Sequence, residues 1–124
     1  MCIRPALVED AFAPEPILCD GKVVTINLKL ASVTVFSSPG DDVILGTSGP
    51  DDIEAREGND TICGLGGDDI LDGGEGDDAI FGLGGDDLIF GAAGDDTLDG
   101  GGGNDTMSGG TGNDTMMGLS LIHI

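Results

Sequence analysis

Tryptophan and tyrosine are absent from this chain and phenylalanine occurs only four times, so a core built around aromatic side chains is excluded. Basic residues are as scarce, with four Lys and Arg against 24 Asp and Glu, a formal charge of −20. Nucleic acid and anionic membrane surfaces require clustered Lys or Arg, and from residue 37 onward only Arg56 is basic, which disfavours both as partners. No run of about 18 apolar residues is present, so nothing reads as a transmembrane helix. Residues 1–16 lack the apolar stretch of a secretory signal. The single histidine, His123, belongs to no Ser/His/Asp, Cys/His or H-E-x-x-H arrangement, which leaves hydrolytic and zinc chemistry without their usual groups. A chain this rich in Gly and Asp stays expanded unless its charge is neutralised, and a hard cation is the natural candidate.

What the sequence does have is a period of nine. The stretch Gly64 to Asp72 recurs in one register as nine units without an insertion, beginning at Ser37, Gly46, Ala55, Gly64, Gly73, Gly82, Gly91, Gly100 and Gly109. The fourth position is always glycine, from Gly40 to Gly112. The sixth is always aspartate: Asp42, Asp51, Asp60, Asp69, Asp78, Asp87, Asp96, Asp105 and Asp114. The eighth is always aliphatic or Met: Ile44, Ile53, Ile62, Leu71, Ile80, Ile89, Leu98, Met107 and Met116. Nine such residues alone bury too little apolar surface to offset the entropy of ordering the array.

This pattern resembles the haemolysin-type calcium-binding repeat, the RTX nonapeptide G-G-x-G-x-D-x-U-x with U a large aliphatic residue. The resemblance covers 37–117 and implies an all-β chain folded as a parallel β-roll. That roll is a right-handed β-solenoid with two nonapeptide units per coil, each unit a six-residue turn and a three-residue strand. Position eight would face in and positions seven and nine out, with units i and i+2 stacked. Glycines at positions four and one would supply positive φ and close approach. Stacking at about 4.8 Å brings the aspartates of successive coils together with turn carbonyls. Asp42, Asp60, Asp78, Asp96 and Asp114 would line one side, and Asp51, Asp69, Asp87 and Asp105 the other. Adjacent pairing offers up to about seven Ca2+ sites. Calcium suits them because it accepts 6–8 oxygen ligands in flexible geometry. Magnesium demands a tighter octahedron, and zinc would want a Cys/His cluster that the chain lacks. Units two and three depart from the pattern, with Thr47, Ser48 and Pro50 in one and Ala55, Arg56 and Glu57 in the other, so their sites should be weaker and Arg56 could compete with the metal. Position-five Asp68, Asp77, Asp86 and Asp95 are expected to act through main-chain oxygen and long-range field.

Residues 1–36 form an N-terminal segment in which 22–36 shows the alternation of strands, with Val24, Ile26, Leu28 and Leu30 against Thr25, Asn27 and Lys29. These strands either form a short N-terminal β cap on the roll or end an upstream domain. Met1 to Arg4 and the 118–124 tail read as truncated or extraneous, so that covalently linked domains would lie beyond these 124 residues. The expected function is calcium binding by a secreted, extracellular module that folds on the ion, with no catalysis of its own. The alternative is the C-terminal repeat module of a secreted enzyme or toxin (protease, lipase or haemolysin). An ice-binding face is disfavoured, since position three (Pro39, Ser48, Glu57, Gly66, Glu75, Gly84, Ala93, Gly102, Thr111) forms no Thr or Asn ladder.

Position nine on the odd-numbered side reads Leu45, Cys63, Phe81, Asp99 and Met117. Three apolar residues in a row on a solvated face call for a cover, and the 22–36 strands are the nearest. Cys19 precedes them, and the surroundings of both cysteines resemble a cysteine-bearing subgroup of these repeat proteins. A Cys19–Cys63 disulfide is therefore expected, leaving Cys2 unpaired. The other reading keeps Cys63 as a small buried apolar residue and Cys19 as a free thiol.

Overall fold

The computed structural model describes residues 39–118 continuously, together with short strands at 18–19, 22–23, 26–27 and 34–36. Residues 1–17 with Cys2, 20–21, the parts of 22–36 between those strands, 37–38 and 119–124 with His123 lie outside the described residues. The strands, in chain order, are β1 (Leu18–Cys19), β2 (Lys22–Val23), β3 (Ile26–Asn27), β4 (Thr34–Phe36), β5 (Val43–Leu45), β6 (Asp52–Glu54), β7 (Thr61–Cys63), β8 (Ile70–Asp72), β9 (Ala79–Phe81), β10 (Leu88–Phe90), β11 (Thr97–Asp99), β12 (Thr106–Ser108) and β13 (Thr115–Met117). Among the described residues there is no helix.

Odd-numbered strands from β3 to β13 form one parallel sheet and even-numbered strands from β4 to β12 the other. Each strand pairs with the one two units away in an 18-residue register, Ile44 opposite Ile62 and Ile62 opposite Ile80. This is the parallel β-roll with two nonapeptides per coil. A three-residue strand can point only its middle side chain inward, which makes the core a single file. Ile44, Ile53, Ile62, Leu71, Ile80, Ile89, Leu98 and Met107 are all at most 1% exposed, each contributing about 1.5–3 kcal/mol by burial. Met116, in the last coil, is only partly buried, because no further described coil stacks on it.

The turns stack as well as the strands. Backbone bonds between coils use the carbonyls of positions two, three, six and nine, as in Glu75 N–H to Arg56 O, Gly76 N–H to Ala93 O, Ala79 N–H to Asp60 O and Gly64 N–H to Phe81 O. Positive φ occurs at position four, at Gly76 for example (+121°), and also at position two, where non-glycine residues adopt it: Arg56, Leu65, Leu83 and Ala92. Position one is not among the positive-φ residues, which corrects the expectation that its glycine serves backbone conformation. Its role is close approach.

At the N-terminal end the expected cap takes a particular form. β3 and β4 extend the two sheets by one further coil in the same 18-residue register, Ile26 opposite Ile44 and Val35 opposite Ile53. They do not lie over the outward face. The cover there is β1, which pairs antiparallel with β2 and rests against β5 and β7. Cys19 and Cys63 form a disulfide with Cα atoms 5.9 Å apart, and both are buried. β7 is the one described repeat strand with all three residues buried.

Two glycines of one turn type should therefore respond oppositely to a methyl group. A Cβ on Gly76 would strike the Gly58 carbonyl and sit 2.9 Å from Asn59 Oδ1, at a φ that L-residues rarely adopt. Gly76→Ala should cost about 2 kcal/mol or more. At Gly84 the nearest atom is 3.5 Å away, and Ala93 already occupies the equivalent position, so Gly84→Ala should stay within about 0.5 kcal/mol. Denaturant unfolding of both variants in calcium measures the difference, and equal costs would contradict the stacked-turn geometry.

Candidate metal centre

The roll sets the sixth-position aspartates in two files, one along each edge, by a hydrogen bond that repeats every coil. The backbone N–H of each aspartate donates to Oδ1 of the aspartate 18 residues later: Asp42 to Asp60, Asp51 to Asp69, Asp60 to Asp78, Asp69 to Asp87, Asp78 to Asp96, Asp87 to Asp105 and Asp96 to Asp114, at 2.7–2.9 Å. All nine expected residues thus fall into the two expected files, joined by seven contacts. Asp42 to Asp105 are buried, and Asp114, in the last coil, is partly exposed.

One carboxylate oxygen is satisfied this way and the other is not. Oδ2 of Asp60, Asp69, Asp78, Asp87, Asp96 and Asp105 is buried without a hydrogen-bond partner. Position one explains the space it occupies. A methyl at Gly46 would lie 2.7 Å from both Asp51 Oδ2 and the Gly64 carbonyl oxygen, and one at Gly64 would meet Asp69 Oδ2 at 2.5 Å and the Gly82 carbonyl at 3.0 Å. Carboxylate and next-coil carbonyl therefore converge where a side chain would have been. Among the described residues no three His, Cys, Asp or Glu side chains gather at one point. The donor set is all oxygen, part carboxylate and part backbone, which fits calcium and not zinc.

The structure adds detail that the pattern did not reveal. Thr47 donates its N–H to Asp51 Oδ2 (2.7 Å) and its hydroxyl to Asp51 Oδ1 (2.9 Å), so Asp51 is satisfied internally. A threonine four residues before the ligand was the available signal. Arg56 lies with Nε 3.7 Å from Glu54, both lining an outer groove with Asp72 and Glu75. The position-five side chains make an exposed ladder of opposite sense, in which Asp77 Oδ1 accepts from Asp95 N–H and Asp68 Oδ1 from Asp86 N–H. They brace the backbone of the next turn.

Burial raises the carboxyls. Asp69 and Asp78 are pushed to about 7, and Asp60, Asp87 and Asp96 to about 6, against an ordinary 3.8. Desolvation is the main cause, partly offset by the backbone N–H each accepts and reinforced by neighbouring carboxylates. Asp105 is raised for the same leading reason.

A parallel roll carrying a row of dehydrated, half-satisfied carboxylates along each edge is a cation-binding solenoid. Comparison with family models makes the class specific: the RTX calcium-binding nonapeptide repeat matches in four copies, over residues 36–71, 55–89, 64–98 and 81–116. The chain belongs to this family, whose repeats bind calcium. No curated protein matches it.

These shifts give the metal-free fold a pH dependence of definite sign. Folded-state values above the ordinary 3.8 mean that the fold binds more protons than the unfolded chain between about pH 4 and 7. The stabilisation by protonation is complete below about pH 4 and is lost as pH rises through about 6–7. In chelator, the β signal in circular dichroism should be larger at pH 5 than at pH 8. A metal-free β signal that grows with pH would contradict the burial of these carboxyls.

Proposed function

We propose that this chain is a secreted, extracellular calcium-binding module without catalytic activity, whose roll over 37–117 folds as it takes up calcium. The observation that carries this reading is the set of six buried, unpartnered Oδ2 atoms. A desolvated carboxylate oxygen without a partner is strongly destabilising, and a formal charge of −20 compounds the cost. The ligands proposed are Asp60, Asp69, Asp78, Asp87, Asp96 and Asp105, with Asp42, Asp51 and Asp114 completing the files and turn carbonyls such as Gly64 O and Gly82 O supplying further oxygens. Seven inter-coil aspartate contacts set the upper number of ions. When bound, calcium supplies charge neutralisation and oxygen coordination. The protein supplies the register that holds the oxygens together.

An extracellular setting is supported by the buried Cys19–Cys63 disulfide, since such a bond belongs to an oxidising compartment. Among the described residues no helix is long and apolar enough to cross a membrane.

Because metal binding energy becomes folding energy when the unfolded chain has no site, chelation at neutral pH should abolish most of the β signal. Calcium should restore it with a midpoint of about 10⁻⁴–10⁻³ M. A fully folded chain in chelator would refute calcium-coupled folding.

The ligand set is tested residue by residue. Asp78→Ala and Asp87→Ala each remove a carboxylate that sits between two neighbours in its file, and should weaken calcium binding by about tenfold or more. Asp51→Ala removes one already occupied by Thr47 and should weaken it less. Isothermal titration calorimetry ranks the three, and Asp51→Ala as the most damaging would overturn the assignment.

A further inference from the structure

The file of aspartates stops before the roll does. Eighteen residues before Asp42 and Asp51 the sequence has Val24 and Val33, so it offers no carboxylate side chain to continue either file. β3 is joined to β5 over two residues and β4 to β6 over three. A covalent link is present at this same end: Cys19 of β1 is bonded to Cys63 of β7, 44 residues later. The closed loop contains the capping coil and the first three repeats, and with them Asp42, Asp51 and Asp60. Three of the seven inter-coil aspartate contacts, from Asp42, Asp51 and Asp60 to Asp60, Asp69 and Asp78, therefore begin inside it. The bond itself is shielded, with Cys19 1% and Cys63 6% exposed.

We infer that the Cys19–Cys63 disulfide is a redox clasp on the calcium sites, such that the oxidised chain needs less calcium to fold and bound calcium protects the bond from reduction. This rests on the proposed calcium-coupled folding and adds its regulation. The disulfide restricts the unfolded chain, so the same calcium binding drives folding from a smaller entropic deficit. Thermodynamic linkage makes the effect reciprocal: whatever the bond does for calcium affinity, calcium does for the bond. The reductant would be a dithiol. Its thiolate attacks one cystine sulfur to give a mixed disulfide and releases the other cysteine as a thiolate that takes up a proton. The second thiol of the reductant then displaces the remaining cysteine, so that two electrons and two protons pass to Cys19 and Cys63 and the dithiol leaves as its own disulfide. Burial blocks the first attack in the folded roll, and loss of calcium exposes it.

The experiment compares the oxidised chain with the Cys19→Ser, Cys63→Ser double variant by calcium titration in circular dichroism, and follows reduction of the oxidised chain by dithiothreitol in saturating calcium and in chelator. The variant should need about 3- to 10-fold more calcium, the loop-closure effect spread over three to seven ions. Reduction should be about 100-fold slower in calcium, where it requires unfolding of the end coil. If the variant fails to fold at any calcium concentration, the clasp is stronger than stated and the reduction rates decide. A calcium response with equal midpoints and equal reduction rates overturns the clasp alone. Absence of any calcium response in either chain overturns both the clasp and the calcium-coupled folding beneath it.

Discussion

Everything in this molecule depends on one repeated contact, the backbone N–H of an aspartate donated to the carboxylate of the aspartate 18 residues later. It locks the stacking of turns and in the same stroke buries the carboxylate's other oxygen with nothing to meet it. A neutral side chain could make the first contact but would not call for a cation. The fold is thus held in a register that is unfavourable when empty of positive charge. On the proposed calcium-coupled folding, calcium binding and coil stacking are two descriptions of one equilibrium.

The rest of the architecture follows from how little else there is to hold it. One inward residue per strand gives a file of aliphatic side chains in place of a three-dimensional core, so stability cannot be concentrated at a centre. It accumulates coil by coil, as in other solenoids. Close stacking of turns then becomes as important as the core, and that is why glycine dominates. At position four a Cβ would run into the carbonyl of the coil before, and at position one into the carboxylate of its own unit.

A solenoid also has ends, where each kind of contact runs out. Toward the N-terminus the sheets continue for one coil past Asp42 and Asp51, and a buried disulfide ties β1, which rests against β5 and β7, to the array. In the last described coil Met116 and Asp114 are less buried than their counterparts. The two ends show the same rule from opposite sides: a coil is only as well held as the coil stacked beyond it.

Much of this was legible in the residues alone. The period of nine and the inward column from Ile44 to Met116 follow from identities at fixed spacing. The stacking into two files of aspartates was what the resemblance to the RTX repeat implied. The pairing of Cys19 with Cys63 was expected from an apolar outward column in need of a cover together with that resemblance, with free thiols as the other reading. The capping coil was partly legible too, since Ile26 and Val35 continue the eighth-position column, but without glycine at the fourth position or aspartate at the sixth they read as an ordinary alternating strand. Three features were decided only by the tertiary structure. Position two takes a positive φ whether it is Arg56, Leu65, Leu83 or Ala92, so no residue type marks it. Thr47 turns inward to satisfy Asp51, which depends on local turn geometry. The division of each carboxylate into one satisfied and one orphaned oxygen arises between residues 18 apart, and exists only once neighbouring coils have closed on each other.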